Sequence, residues 1–229
     1  HAVHGPHYGL NRDNWLGDSL QENGSSESWP LFFARKRLLP QLATAVEGGL
    51  RGSLVSNVQG IVERIGALFL DYRPAASLLH GDLWHGNAGV DGNGRPTVFD
   101  PAVHYGDREA DFALAEMFGG FPTAMYAAYL QRSPLHPNAP SRRALYRLYH
   151  LLNHYNLHGI SYLRETENKL KRAADLVRNL VNRWNTLTSR HDISLSAALA
   201  SSSDAPELLE RLAHRYDDAP WTLARLAQF

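Results

Sequence analysis

The chain has 229 residues, no cysteine, equal numbers of basic and acidic side chains at 23 each, and 44% hydrophobic residues. That length supplies one sizeable core or two small ones, and the balanced charge offers no basic field for nucleic acid or a membrane surface, so any ligand must be recognised locally. The missing thiols exclude disulfide staples, zinc-thiolate sites and cysteine catalysis and fit a reducing compartment, which points to the cytoplasm; no stretch resembles a signal peptide or a membrane span.

Residues 1–30 are rich in Gly, Asn, Asp, Ser and His and read as a loop-dominated stretch with little regular structure. Pro30 opens a helix in which Phe32, Phe33, Leu38, Leu39, Leu42 and Val46 recur at helical spacing, with Pro40 expected to kink or divide it. A second helix is expected over 56–71, where Val58, Ile61, Val62, Ile65, Leu68 and Phe69 share one face. Short apolar runs at 88–90 and 97–99 flank Asp-Gly-Asn-Gly-Arg-Pro, a strong turn signal, and predict a β-hairpin. Helical patterns then cover 110–117, 124–130 and 141–184, the last interrupted near Gly159. The fold class is therefore mainly α with a small β-hairpin. Asp-Ala-Pro-Glu-Leu-Leu-Glu-Arg-Leu-Ala at 204–213 returns as Asp-Ala-Pro-Trp-Thr-Leu-Ala-Arg-Leu-Ala at 218–227, and this repeat reads as part of a helical appendage over 189–229.

The informative segment is Leu79-His80-Gly81-Asp82-Leu83-Trp84-His85-Gly86-Asn87, which fills every chemical position of the kinase catalytic-loop pattern H-x-D-x-x-x-x-N. Asp100, in Asp100-Pro101-Ala102, stands where protein kinases place their metal-binding Asp-Phe-Gly. If Val90 pairs with Thr97 across the hairpin, Asn87 falls opposite Asp100, about 4.5 to 5.5 Å away at Cα, and an amide oxygen and a carboxylate at that separation suit Mg²⁺. Phosphoryl transfer asks the protein mainly for positioning and charge neutralisation. Asp82 is accordingly assigned to accept or orient the substrate hydroxyl proton, Asn87 and Asp100 to hold the metal that bridges the nucleotide phosphates, and His80 to brace the loop. The competing reading is a polar hairpin that binds nothing.

With these residues in place, the sequence resembles the fructosamine kinase (ketosamine-3-kinase) family of the aminoglycoside phosphotransferase-like kinases. The resemblance rests on His80-Gly81-Asp82-Leu83-Trp84-His85-Gly86-Asn87, on Asp100 to Asp111, on Phe118-Gly119-Gly120-Phe121-Pro122, and on similar strings at Tyr8-Gly9-Leu10, Asp13-Asn14, Trp29 to Phe33 and Leu148 to Leu157; it reaches to about Asn179. It implies a protein-kinase-like fold over residues 1–188. It also implies ATP and Mg²⁺ as cofactors, and as substrate a sugar hydroxyl of a ketosamine, free or carried on glycated lysines of proteins. Trp84 matches the tryptophan this family places beside the sugar, although a packed core aromatic is the alternative for it. His85 and Tyr105 are further candidates for contact with substrate, while Glu109 and Asp111 serve either the pocket or, as the better reading, the anchoring of the next helix.

The sequence departs from the family in one respect. A complete member has a β-rich lobe with a glycine-rich phosphate loop and a strand lysine, yet no G-x-G-x-x-G precedes Asp82 and the chain's three lysines, Lys36, Lys169 and Lys171, sit in charged helical contexts. It therefore reads as a C-terminal lobe with the N-terminal β lobe absent, for which weak nucleotide binding, slow turnover and an exposed apolar surface at the lobe junction are expected. A related phosphotransferase acting on an aminoglycoside or choline, and a non-catalytic remnant that only binds the sugar, remain as alternatives. Two histidine groups, His1/His4/His7 and His150/His154/His158, have spacings that raise metal binding; a solvated terminus and ordinary packing are the better readings.

Overall fold

The computed structural model describes residues 1–159, 168, 171–179 and 182. The chain divides into two compact units, His1–Val181 and Asn182–Phe229, and the repeat at 204–227 lies outside the described residues.

The strands are β1 (Tyr8–Leu10), β2 (Asn14–Leu16), β3 (Ser19–Gln21), β4 (Gly24–Ser26), β5 (Ser77–Leu79), β6 (Ala88–Val90), β7 (Pro96–Val98) and β8 (His104–Gly106). Residues 1–30 are thus not loop-dominated, which corrects the sequence reading: they hold four strands, and one small hairpin does not account for the β content. β1 pairs with β4 and with β8, and β8 pairs with β5, all antiparallel, giving a sheet ordered β4-β1-β8-β5. Strands of three residues show too few alternations for a period of two to appear, and one of the two partners of β1, β8, is distant in sequence.

What gives this sheet its inner face is Trp29. Its ring stacks on Phe32 and His104, and a Cβ added at Gly106 would lie 2.6 Å from it, so β8 passes directly over the indole. The buried indole N–H reaches Tyr146 Oη at 3.0 Å, as a buried tryptophan requires.

Helices α1 (Trp29–Phe33) and α2 (Leu39–Glu47) are joined without a break by a π-helical turn, Ala34–Leu38. Pro40 therefore does not divide the helix. A proline cannot donate to the carbonyl four residues before it, and here that carbonyl, on Lys36, accepts instead from Arg37 Nη1 at 2.8 Å. The expected helix over 56–71 starts earlier and ends in a tighter turn: α3 (Ser53–Glu63) is followed by a 3₁₀ segment, Ile65–Phe69. α4 (Glu109–Phe118), α5 (Thr123–Arg132) and α6 (Ala139–His158) follow, the last ending at Gly159, and residues 171–179 are again helical. Leu38, Leu42 and Ala45 from the first helical stretch and Leu145, Leu148 and Leu152 from α6 are buried and form the centre of the core. Burial of each such leucine is worth about 1.5–3 kcal/mol.

The β6–β7 hairpin forms where the turn signal predicts it, in a register one residue away from the expected one. Ala88 faces Val98, Gly89 faces Thr97 and Val90 faces Pro96. The turn sets this: Asp91 Oδ1 accepts the N–H groups of Asn93 and Arg95, both at 2.9 Å, which closes the loop on Asp91–Arg95 and leaves Pro96 in the strand. Asn87 therefore faces Phe99, whose N–H donates to the Asn87 carbonyl at 3.1 Å. Asp100 lies past the end of the ladder.

Candidate active site

The catalytic-loop residues run from the end of β5 through a turn into a 3₁₀ segment, His85–Asn87, that leads into β6. The turn is pinned from two sides. Beneath it, Asp111 in the first turn of α4 accepts the His80 N–H on Oδ2 at 2.7 Å and the Gly81 N–H on Oδ1 at 2.9 Å. Beside it, the Ala102 N–H donates to the His80 carbonyl at 2.8 Å. Gly81 has φ +82°, and a Cβ there would stand 2.1 Å from the Ala102 carbonyl oxygen, so both the backbone conformation and the close approach require glycine.

His80 bridges the two halves of the motif. Its Nε2 lies 3.0 Å from the Phe99 carbonyl and its Nδ1 lies 3.3 Å from the Asp82 N–H. With its hydrogen on Nε2 the ring satisfies both, donating to the first and accepting from the second. The side chain ties the residue before Asp100 to Asp82 itself.

Asn87 is buried, and its side-chain amide donates both hydrogens to Asp82: to the carboxylate Oδ2 at 2.8 Å and to the main-chain carbonyl at 3.0 Å. Two acceptors on that side dictate which end of the amide is nitrogen, so Oδ1 is the end turned away. Asp100 follows with φ +55°, which bends the chain back immediately after Phe99. Burial pushes the Asp82 carboxyl above the usual carboxylate range; the Asn87 hydrogen bond and His80 oppose this, while Asp100 and Asp111 add to it. The Asp100 carboxylate thus lies close enough to repel that of Asp82. An amide oxygen and two mutually repelling carboxylates are hard oxygen donors whose repulsion a divalent cation would relieve, and this donor set fits Mg²⁺. Asn87 is bonded to Asp82, and Asp100 stands near enough to act on the Asp82 charge, although ladder register is not what relates them.

The aromatic candidates sit at the other end of the loop. The half-buried Trp84 ring packs edge-on against His85 at 5.0 Å between centroids and in a tilted arrangement against Phe118 at 5.6 Å. His85 Nδ1 lies 3.1 Å from the Gly119 carbonyl, and a Cβ at Gly120 (φ +91°) would fall 2.2 Å from the His85 ring. The Phe-Gly-Gly-Phe-Pro string is therefore the segment that wraps His85. Phe118 continues to His154, and His154 to His158, so these two histidines join an aromatic cluster. Tyr105 is placed elsewhere: it is the central residue of β8, and its ring covers Gly5 on the sheet face opposite Trp29.

The carboxylates after Asp100 hold the scaffold. Asp107 accepts from Tyr146 Oη at 2.5 Å and Tyr72 Oη at 3.0 Å, and Glu109 pairs with Arg142 through two bonds of 2.8 and 3.0 Å, both partners being buried. With Asp111 on the loop, the anchoring reading of Glu109 and Asp111 matches their positions. One cluster escaped the sequence reading altogether. Asn14 donates to the Val103 carbonyl at 2.8 Å, Gln21 to the Ala102 carbonyl at 3.1 Å, and Arg37 to Asn23 Oδ1 at 2.8 Å, which bolts the β2–β3 hairpin to the backbone just after Asp100-Pro101. The arginine pairs with no carboxylate in this network, and burial lowers its pKa to about 10. Isolated polar residues in a loop-like run give no signal for such a contact. Nor do the histidines at 1, 4 and 7 converge: His1 contacts Asp111, His4 bridges Ser77, and His7 pairs with Glu27. Among the described residues no cluster of three His, Cys, Asp or Glu side chains suited to a metal occurs, and no helix is long and apolar enough to cross a membrane.

This helical body beside a small sheet is similar to solved structures of candidate fructosamine-3-kinases. Those from Thermobifida fusca and Haemophilus somnus superpose with TM-scores of 0.65 and 0.62, each at 33% identity, over 75% and 80% of this chain and 59% of theirs. The fructosamine kinase family model matches residues 1–175, and the chain belongs to that family. A probable ketoamine kinase of Synechocystis is 42% identical over 164 residues, 72% of this chain and 55% of the relative. One of Escherichia coli is 38% identical over 167 residues, 73% of this chain and 57% of the relative. The chain thus spans a little over half the length of these relatives.

Proposed function

We propose that this chain carries the catalytic and metal-binding residues of an ATP-dependent kinase that phosphorylates a sugar hydroxyl of a ketosamine. The observation that carries the reading is the arrangement at Asp82: a half-buried carboxylate with a raised pKa, held by both hydrogens of the Asn87 amide, with Asp100 close by. A raised pKa improves a carboxylate as proton acceptor near neutrality, so Asp82 takes or orients the proton of the attacking hydroxyl. Asn87 Oδ1 and Asp100 hold Mg²⁺, which when bound neutralises charge on the phosphates. Trp84, with His85 behind it, offers an indole face to the apolar side of the sugar. The names of the relatives support the substrate class, and glycated lysine on proteins belongs to it. In this reading residues 1–188 form the kinase-like unit, 189–229 an appendage, and the cytoplasm is the site of action.

The test is phosphoryl transfer from ATP to fructoselysine by the full-length protein with Mg²⁺, followed as ADP release and as phosphorylated sugar. Transfer that disappears in Asp82→Asn supports the proposal. Transfer at the wild-type rate in that variant removes Asp82 from its role, and no transfer to any ketosamine by the wild type overturns the substrate class.

A further inference from the structure

Beneath the catalytic loop runs a continuous series of hydrogen bonds from Arg108 to the His80-Gly81 turn. Arg108 Nη1 can only donate, and it does so to Tyr129 Oη at 3.2 Å. Tyr129 Oη lies 2.6 Å from His1 Nδ1. A carboxylate oxygen only accepts, so His1 Nε2, 3.0 Å from Asp111 Oδ2, is a ring nitrogen that carries a hydrogen. Asp111 in turn accepts the main-chain N–H groups of His80 and Gly81. The His1 and Asp111 side chains are 13% and 2% exposed, so water competes little for these contacts.

The loop above has no slack with which to absorb a shift of that carboxylate. Gly81 is in contact with the Ala102 carbonyl, the His80 carbonyl is held by the Ala102 N–H, and Asp82 follows directly. We infer that His1 is a positioning residue for phosphoryl transfer: it orients the Asp111 carboxylate that holds the His80-Gly81 turn, and so sets where Asp82 meets its substrate. The sequence reading raised a metal for His1 with His4 and His7 and preferred a solvated terminus; its partners come from α4 and α5, more than a hundred residues on. The inference rests on the proposed kinase reading for its catalytic consequence but not for its structural one, and the two are separable by experiment.

The experiment compares His1→Ala, His1→Gln and Tyr129→Phe in the full-length protein, by residue-resolved amide hydrogen exchange and by steady-state kinetics with ATP and fructoselysine. In His1→Ala the His80 and Gly81 amides should exchange on the order of tenfold faster while core amides such as that of Leu114 keep their wild-type rates. kcat should fall on the order of tenfold to a hundredfold, with KM for both substrates unchanged, because a misplaced catalytic group costs rate more than affinity. His1→Gln retains an N–H near the Nε2 position and should recover most of both effects. Tyr129→Phe should move both readouts in the same direction and add little to His1→Ala, since both act through Asp111. It also decides the matter should His1→Ala fail to fold. Wild-type exchange at His80 and Gly81 in both His1→Ala and Tyr129→Phe overturns the inference. If the wild type transfers no phosphoryl group, the kinase reading fails while the exchange data still judge the relay.

Discussion

Both hydrogens of the Asn87 amide are spent on Asp82, one on its carboxylate at 2.8 Å and one on its main-chain carbonyl at 3.0 Å. This single contact closes the catalytic loop on itself and leaves the amide oxygen as the end able to meet a cation. Asp82 is at once the proposed proton acceptor and the group that orients a metal ligand, so substitutions at these positions should have separable effects.

Asp82→Asn keeps an oxygen acceptor for Asn87 and removes a carboxylate that burial disfavours in its charged form. A raised folded-state pKa means that Asp82 favours the fold while protonated and that this contribution is lost as pH rises from its ordinary 3.8 through the raised value. At neutral pH the variant should therefore melt no lower than the wild type, and higher if anything, while transfer is abolished. A thermal melt near pH 7 and again in mild acid checks the sign: the gap should shrink in acid. A variant that melts well below the wild type at neutral pH would contradict the assigned environment.

Asp100, with φ +55°, separates backbone strain from ligand loss. Asn tolerates this conformation and Ala does not, at a cost of about 1–2 kcal/mol. Asp100→Asn should fold with near-native stability and bind Mg²⁺ or Mn²⁺ together with nucleotide far more weakly, whereas Asp100→Ala should lose stability as well. Isothermal calorimetry showing wild-type metal binding in both would remove Asp100 from the metal site.

The Glu109–Arg142 pair is buried on both sides, with the guanidinium also stacked 3.9 Å over the Tyr72 ring. Removing one partner of such a pair leaves an uncompensated charge and costs about 3–5 kcal/mol. Glu109→Gln should lower the urea midpoint accordingly, and the loss should be larger than in a variant that replaces both residues with apolar ones. Equal losses would show that the pair's volume, not its charge, is what matters.

Acid should unfold the protein partly through His150. Burial lowers its pKa from 6.5 to about 4, so its contribution is present above 6.5 and is lost as pH falls through about 4. His104, lowered to about 3, acts in the same sense over a wider range, and Asp107, raised to about 6 chiefly by burial and by Glu109, acts in the opposite one. In the window of His150 its replacement by Leu should reduce the slope of stability against pH by up to about 1.4 kcal/mol per pH unit. Denaturant titrations at several pH values measure that slope directly, and an unchanged slope would mean that His150 is charged in the folded protein.

The sequence by itself determined the chemical types and their local order: Asp82 and Asn87 in one loop, Asp100 beyond a hairpin, and the helices of the core from their apolar spacing. These are readable because turn chemistry and helical periodicity act over a few residues. The hairpin register was not, because Val90, Thr97 and Val98 are all exposed, so no buried face distinguishes one pairing from the next, and the Asp91 turn decides instead. The strands of the first thirty residues escaped for a related reason, since three-residue strands are too short to show a period of two and β1 takes one of its partners from distant β8. Tertiary structure alone decided the partners of the polar residues: that Asp107 takes two tyrosine hydroxyls, that Arg37 and Asn14 fasten a hairpin beside Asp100, and that His1 reaches Asp111 beneath the loop. A hydrogen bond depends on where two atoms end up, and only the folded core places atoms that lie a hundred residues apart in sequence.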